Sequence, residues 1–227
     1  MSARPRAAVS WSGGKDSCAA FERARAGFDV VAALTMVDES GTRSRSHGIR
    51  VELLRAQTAA IGLGHLMRPC DWSSYEAEFE NGLRQLAADG VTHVIYGDLV
   101  YPEHRTWAER MSERAGIIAV EPLFGTPTLD LARDFVRSGA RATIVAINAV
   151  QLDLSWLGTE LSEDAIDRLV AAGVDPCGEN GEYHTFVTDS PSFARPVVIS
   201  RGEVVNVRGY WAIDLMPLPP ERGESGS

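Results

Sequence analysis

The sequence predicts an α/β protein, a doubly wound parallel sheet followed by a smaller C-terminal α+β domain. Three observations carry this. Short apolar runs alternate with helix-period segments over about the first 120 residues, the pattern of a parallel sheet covered by helices. Glycine follows the helical segments at Gly27, Gly90 and Gly116, where a helix ends readily. The alternation breaks near Thr126 and the later chain reads as mixed helix and strand. We therefore divide the chain at 1–125 and 126–218, with 219–227 as a polar, flexible tail.

In order, Ala7–Trp11 reads as a buried strand ending at a glycine pair, and Cys18, Phe21 and Ala24 mark one face of the next helix. Val30–Val37 is a second buried strand. A polar loop, Asp38 to Ser46, leads into a helix of roughly His47 to Ile61, and Leu66–Cys70 is a third strand. Tyr75, Phe79, Leu83 and Leu86 fall at helical spacing. Val91–Tyr96 is a strand ending in Gly97-Asp98, Trp107, Met111 and Ala115 mark a helix, and Ile117–Val120 is a fifth strand. Right-handed crossovers bring the loops Ser12–Ser17, Asp38–His47 and Gly97–Arg105 to one edge. Beyond the break, Thr126-Pro127 reads as a helix start, with Thr as cap and Pro at the first helical position. Ala142–Val150 is strand-like, and Ser162 opens a helix closed by Gly173. Val197–Ser200 and Glu203–Val207 read as a hairpin turning at Arg201-Gly202.

Composition bounds the function. The 227 residues are 44% hydrophobic and 23% charged, with a net charge of −9, which fits a globular chain rather than a disordered or fibrous one. No apolar run approaches the roughly 18 residues of a spanning helix, and no secretion signal is expected at the start. The acidic balance argues against an extensive nucleic-acid surface. Cys18, Cys70 and Cys177 stand far apart, so neither a metal knuckle nor a disulfide framework is expected and a reducing, cytoplasmic setting is. His65, His93 and His104 lack metal-ligand spacing and read as structural. Arg43, Arg45 and Arg50 form a loose basic group around the second loop.

Lys15 is the single lysine beside 21 arginines. It sits in Ser12-Gly13-Gly14-Lys15-Asp16-Ser17, between a predicted strand and a predicted helix. The glycines let the backbone turn tightly and aim N–H groups at a ligand, and the helix start adds partial positive charge. Ser12 and Ser17 add hydroxyls, and Lys15 adds a compact full charge where a guanidinium would crowd. Such a set suits a phosphate or pyrophosphate. It is not a Walker A loop, because position 9 is valine. Read without that context, the stretch is a Gly-Gly turn before a solvated helix start, and Asp16 is a helix cap.

Ser-Gly-Gly-Lys-Asp-Ser resembles the PP-loop signature of the adenine nucleotide alpha-hydrolase-like superfamily, whose fold is Rossmann-like and whose members cut ATP between the α and β phosphates. Gly97-Asp98, Ser46-His47-Gly48 and Gly178-Glu179-Asn180-Gly181-Glu182-Tyr183-His184-Thr185-Phe186 narrow the likeness to the diphthine–ammonia ligase family, over about Ala7 to Leu218. The resemblance implies ATP and Mg²⁺, and a two-step reaction. A carboxylate attacks the α phosphate and releases pyrophosphate; ammonia then attacks the acyl-adenylate and releases AMP. It implies ammonium and a carboxylate substrate as partners, the acid being diphthine on elongation factor 2, or a related acid if the source is bacterial.

On that resemblance Ser12, Gly13, Gly14, Lys15, Asp16 and Ser17 hold the phosphates, Lys15 also serving catalysis by stabilising the leaving pyrophosphate. Gly97 lets the ligand approach the backbone, and Asp98 holds Mg²⁺ or a ribose hydroxyl. Met36 and Val37 offer backbone to adenine, and His47 contacts phosphate or substrate. Glu179, Glu182 and His184 form a second catalytic cluster, whose carboxylates bind or deprotonate ammonium, or draw a trimethylammonium group toward Tyr183. Two rivals are a PP-loop enzyme that modifies tRNA, which the charge and the spaced cysteines disfavour, and a non-catalytic adenine-nucleotide-binding module. A homo-oligomer is compatible with the sequence.

Overall fold

Ala7, Ala8 and Val9 are fully buried because they form the middle of a parallel sheet. In this computed structural model, which describes residues 3–207 and 209–218, the first unit runs β1 (Arg6–Ser10), α1 (Lys15–Ala24), β2 (Asp29–Val37), α2 (Val51–Ile61), β3 (Gly64–Pro69), α3 (Tyr75–Ala88), β4 (His93–Ile95), α4 (Pro102–Ala115) and β5 (Ile118–Val120). The sheet order is β3-β2-β1-β4-β5, all parallel. The chain winds outward through β2 and β3, then returns to the other side of β1 through β4. The loops after β1 and β4 therefore flank the point where strand order reverses, the crevice in which such sheets bind ligands.

The second unit contains α5 (Thr128–Arg137), β6 (Arg141–Asn148), α6 (Glu163–Ala171), β7 (Tyr183–Asp189), β8 (Ile199–Val207) and β9 (Tyr210–Pro217). Its antiparallel sheet has the order β7-β6-β9-β8. Ser162 caps α6 as the sequence implied, its Oγ accepting from the Ala165 N–H at 3.1 Å. One hydrophobic cluster joins the units: Trp11, Phe21, Leu53 and Leu54 of the first pack with Phe186, Val187, Ile213 and Leu215 of the second. Burial of each large apolar side chain there is worth about 1.5–3 kcal/mol, so the sheets share a core.

Three local expectations are corrected. The helix expected from His47 begins at Val51, because residues 43–50 close a loop of their own, with Ser44 N–H on Ile49 O and Gly48 N–H on Ser44 O. Thr126 does not cap α5. Pro127 occupies the cap position, and Thr128 Oγ donates to Asp175 at 2.8 Å. Arg201-Gly202 is not a hairpin turn: β8 runs through it with a register shift and pairs with β9. A Cβ at residue 202 would fall 2.6 Å from Asp214 O, so this glycine marks an irregularity in the strand. The predicted tail 219–227 lies outside the described residues.

Candidate active site

The turn after β1 is built by its own small residues. Gly13 takes φ +82°, Gly14 N–H donates to Ser12 Oγ at 3.2 Å, and Ser17 Oγ donates to Gly14 O at 3.0 Å. The second unit holds the turn from outside. Val187 N–H donates to Gly13 O at 3.0 Å, and Lys15 N–H donates to Thr185 Oγ at 3.0 Å. Gln57 completes the cradle, donating to Gly13 O and Val187 O while accepting from Trp11 Nε1.

Lys15 is only 4% exposed. Its ammonium meets Asp16 Oδ2 at 2.8 Å, donates to the Cys177 carbonyl, and lies 5.5 Å from the centre of the Tyr183 ring. Burial is the largest single influence and works against its charge, but the attraction of Asp16, its hydrogen bond, and the nearby Cys177 and Tyr183 together outweigh burial and raise the pKa. Lys15 is thus a fixed cation at the start of α1, where the helix dipole adds to its field.

Across from it, Gly97 lets the loop after β4 press against α1; an added Cβ would sit 2.9 Å from Asp16 C and Ser17 N. Asp98 follows, with His104 Nδ1 3.4 Å from its Oδ1. Burial raises the Asp98 pKa, His104 opposes that, and Asp16 reinforces it. Burial likewise pushes Glu179 up to about 7, with Asp16 adding to the shift and Lys15 opposing it. These groups line a cavity of about 220 Å³.

A second cavity of about 820 Å³ opens between the loop after β2 and the sheet of the second unit. Asp214 of β9 clasps that loop, accepting from Arg43 at 2.8 Å and from Arg50 Nε at 2.9 Å. Arg45 lies 4.9 Å over the ring of Trp72. His47 and His184 stack at 4.3 Å with an interplanar angle of 22°, and Tyr210 extends the stack at 5.6 Å from His184. His47 and His184 are the residues common to the linings of both cavities.

Family comparison adds the decisive observation. The model of the diphthamide synthase N-terminal domain matches residues 5–119, and that of the diphthamide synthase C-terminal domain matches residues 127–217. This chain belongs to the diphthamide synthase family. A relative named diphthine–ammonia ligase in Schizosaccharomyces pombe is 29% identical over 218 residues, covering 86% of this chain and 36% of its own. One of the same name in Mus musculus is 26% identical over 226 residues, covering 88% of this chain and 85% of its own. The chain therefore spans about a third of the fission yeast relative and most of the mouse one.

In this diphthamide synthase family member, Lys15, Asp16, His47, Gly97, Asp98, Glu179 and His184 line the smaller cavity together. Ser12, Gly13, Gly14 and Ser17 form the turn beneath it. Glu182 does not join them. It is 4% exposed, and its carboxylate accepts from Asp175 N–H at 3.2 Å, Asn180 N–H at 2.9 Å and Asn180 Nδ2 at 2.9 Å. It fastens the 175–182 loop rather than facing either cavity. Met36 and Val37 are also absent from both linings. Their carbonyls are engaged by Arg45 N–H at 2.9 Å and Cys70 N–H at 3.0 Å. Tyr183 is buried, donates to Pro176 O at 2.6 Å and lines the smaller cavity, with the Lys15 ammonium 5.5 Å from its ring centre.

Sequence reasoning missed four residues here. His104 read as structural, yet it borders the cavity beside Asp98. Gln57 carried a legible signal, a polar residue on the buried stripe of α2 with Leu53 and Leu54. Thr185 and Tyr210 carried none, because their roles arise from contacts across the two units.

Proposed function

We propose that this chain is an ATP-dependent, AMP-forming carboxylate–ammonia ligase that converts diphthine to diphthamide. The observation that carries the reading is Lys15: a buried, permanently charged ammonium at a helix start, in a cavity to which both family domains contribute. The names of the relatives supply the acid and the nitrogen donor. Diphthine on elongation factor 2, or a related acid, is the carboxylate partner, and ammonium is the other. Three buried free cysteines accord with a cytoplasmic setting.

The acid's carboxylate attacks the α phosphorus of ATP and pyrophosphate departs. Lys15, the turn of residues 12–17 and the start of α1 stabilise the charge that grows on the leaving group, an effect worth about 10²–10³ in rate per well-placed donor. The 220 Å³ cavity suits the phosphates. A whole nucleotide needs more of the roughly 300–1,000 Å³ typical of ligand pockets, and the larger chamber beyond the histidine pair offers it.

Among the described residues no three His, Cys, Asp or Glu side chains are arranged to hold a metal ion. Mg²⁺ in nucleotide sites relies on one or two carboxylates plus phosphate oxygens, and Asp98 with Asp16 nearby fits that need. Mg²⁺ held there would neutralise phosphate charge. Glu179, poised near neutral pH, accepts the proton that ammonium must lose before it can attack. Incubation with labelled ATP, ammonium and diphthine-bearing elongation factor 2 should yield AMP and pyrophosphate in step with amide. Lys15→Ala should lower pyrophosphate release at least about 10²-fold. Release of ADP instead, or an unchanged rate in that variant, overturns the reading.

A further inference from the structure

Amide formation from ammonium sheds two protons. An acyl-adenylate and an ammonium ion give an amide, AMP and two protons. One leaves nitrogen before attack, and the other leaves the tetrahedral adduct as the C–N bond forms and the C–O bond to AMP breaks. Glu179 accounts for the first. A single carboxyl cannot hold both at once, and a second base beside the acyl carbon would take the other as the adduct collapses.

The stacked imidazoles suit that role. They form the partition between the two cavities, so a carboxyl joined to the α phosphorus from the chamber side passes beside them. His47 lies on the phosphate turn: a Cβ at residue 14 would fall 3.1 Å from its Cε1. Its Nδ1 is buried and has no hydrogen-bond partner among the described residues, an uncommon and unfavourable state for a polar atom. A ligand at the partition would relieve it. Ring stacking between His47 and Tyr210 fixes the plane of His184, as a base needs for proton transfer.

We propose that His184 takes the second proton, from the nitrogen of the tetrahedral adduct, and releases it toward the larger chamber, with His47 as the positioning residue. This deepens, and rests on, the ligase reading. The ionisable groups lining the two cavities that this ring divides are Lys15 and Asp16 from α1, Asp98, His104, Cys177, Glu179 and Tyr183 on the smaller side, and Asp38, Arg43, Arg45, Arg50, Tyr210 and Asp214 on the larger, with His47 on both. Burial first, then Lys15, lowers His184 to about 4, so the ring starts neutral. A phosphate anion beside Lys15 offsets that cation and raises the basicity of the ring when a base is needed.

Two measurements test this. Proton and nitrogen NMR of the histidine side chains should show the His184 pKa rising when inorganic pyrophosphate or AMP is added to the wild-type protein; no movement with either ligand bound overturns the proposal. In assays with diphthine-bearing elongation factor 2, His184→Gln should lower amide formation about 10²–10⁴-fold, far more than it lowers ATP–pyrophosphate exchange, and should alter the pH profile of the amide step. His47→Gln should do the same more weakly. Equal losses in exchange and amide would make the rings binding groups and overturn the assignment. If wild-type protein supports neither exchange nor amide, the ligase reading fails and this proposal with it; if wild type is active and His184→Gln forms amide at the wild-type rate, this proposal alone fails.

Discussion

At the residue scale, the raised pKa of Glu179 makes stability depend on pH. In the unfolded chain its carboxyl ionises near 4.3. In the folded protein burial, reinforced by Asp16, holds the proton to about 7. The folded state therefore binds more protons across that interval, and its stability falls as pH rises from about 4 to 7. Glu179→Gln should leave Tm nearly unchanged at pH 4 and raise it by a few degrees at pH 8, while abolishing the rise of amide formation through neutral pH. Thermal scans at the two pH values check the sign; a lower Tm at pH 8 would refute it. Which of Glu179 and Glu182 lines the cavity was not legible in the sequence. Both carboxylates stand in one Gly-rich loop, and only the curl of 175–182 turns Glu182 inward against Asp175 and Asn180. The place of Lys15 at the start of α1 was legible, because its stretch reads as a strand, a glycine turn and a helix.

At the element scale, the 175–182 loop stands over the turn of residues 12–17, its Cys177 carbonyl bonded to Lys15 and its inner face fastened by Glu182. Removing a buried acceptor strands its donors, at about 1–3 kcal/mol. Glu182→Ala should therefore accelerate hydrogen exchange across residues 175–182 while leaving α3 and α4 unchanged, and activity should fall as the loop loosens. Exchange at the wild-type rate in that loop would contradict the fastening role. Element order in the first unit was readable because buried parallel strands and amphipathic helices leave different periods. Boundaries that depend on loop geometry were not. The start of α2 is displaced by the hydrogen bonds of 43–50, and the continuity of β8 rests on pairing with β9, which no local pattern announces.

For the whole molecule, the clasp of Asp214 on Arg43 and Arg50 ties the second sheet to the loop that carries His47. The Arg50 hydrogen bond, with Arg43 behind it and against a small burial cost, holds Asp214 down to about 2. This contribution is fully present above the unfolded value near 3.9 and is lost as pH falls through about 2. Asp214→Asn should lower Tm by about 2–4 °C at pH 7, and the gap from wild type should narrow below pH 4. A gap that stays constant to pH 2.5 would rule out the ionic origin. The two-unit plan was legible in the change of pattern near Thr126. The shared core and the clasp were not, because a contact between distant segments has no sequence period.

β7 sets two spacings with adjacent residues. Thr185 receives the Lys15 amide, and His184 stands in the ring stack. Sliding that strand by a fraction of an ångström would shift the Lys15 turn and the imidazole wall together. Mutation cannot tune one without retuning the other, so variants with altered acid preference should arise along the chamber's far walls, at β9 and the loop after β2, rather than along β7 itself.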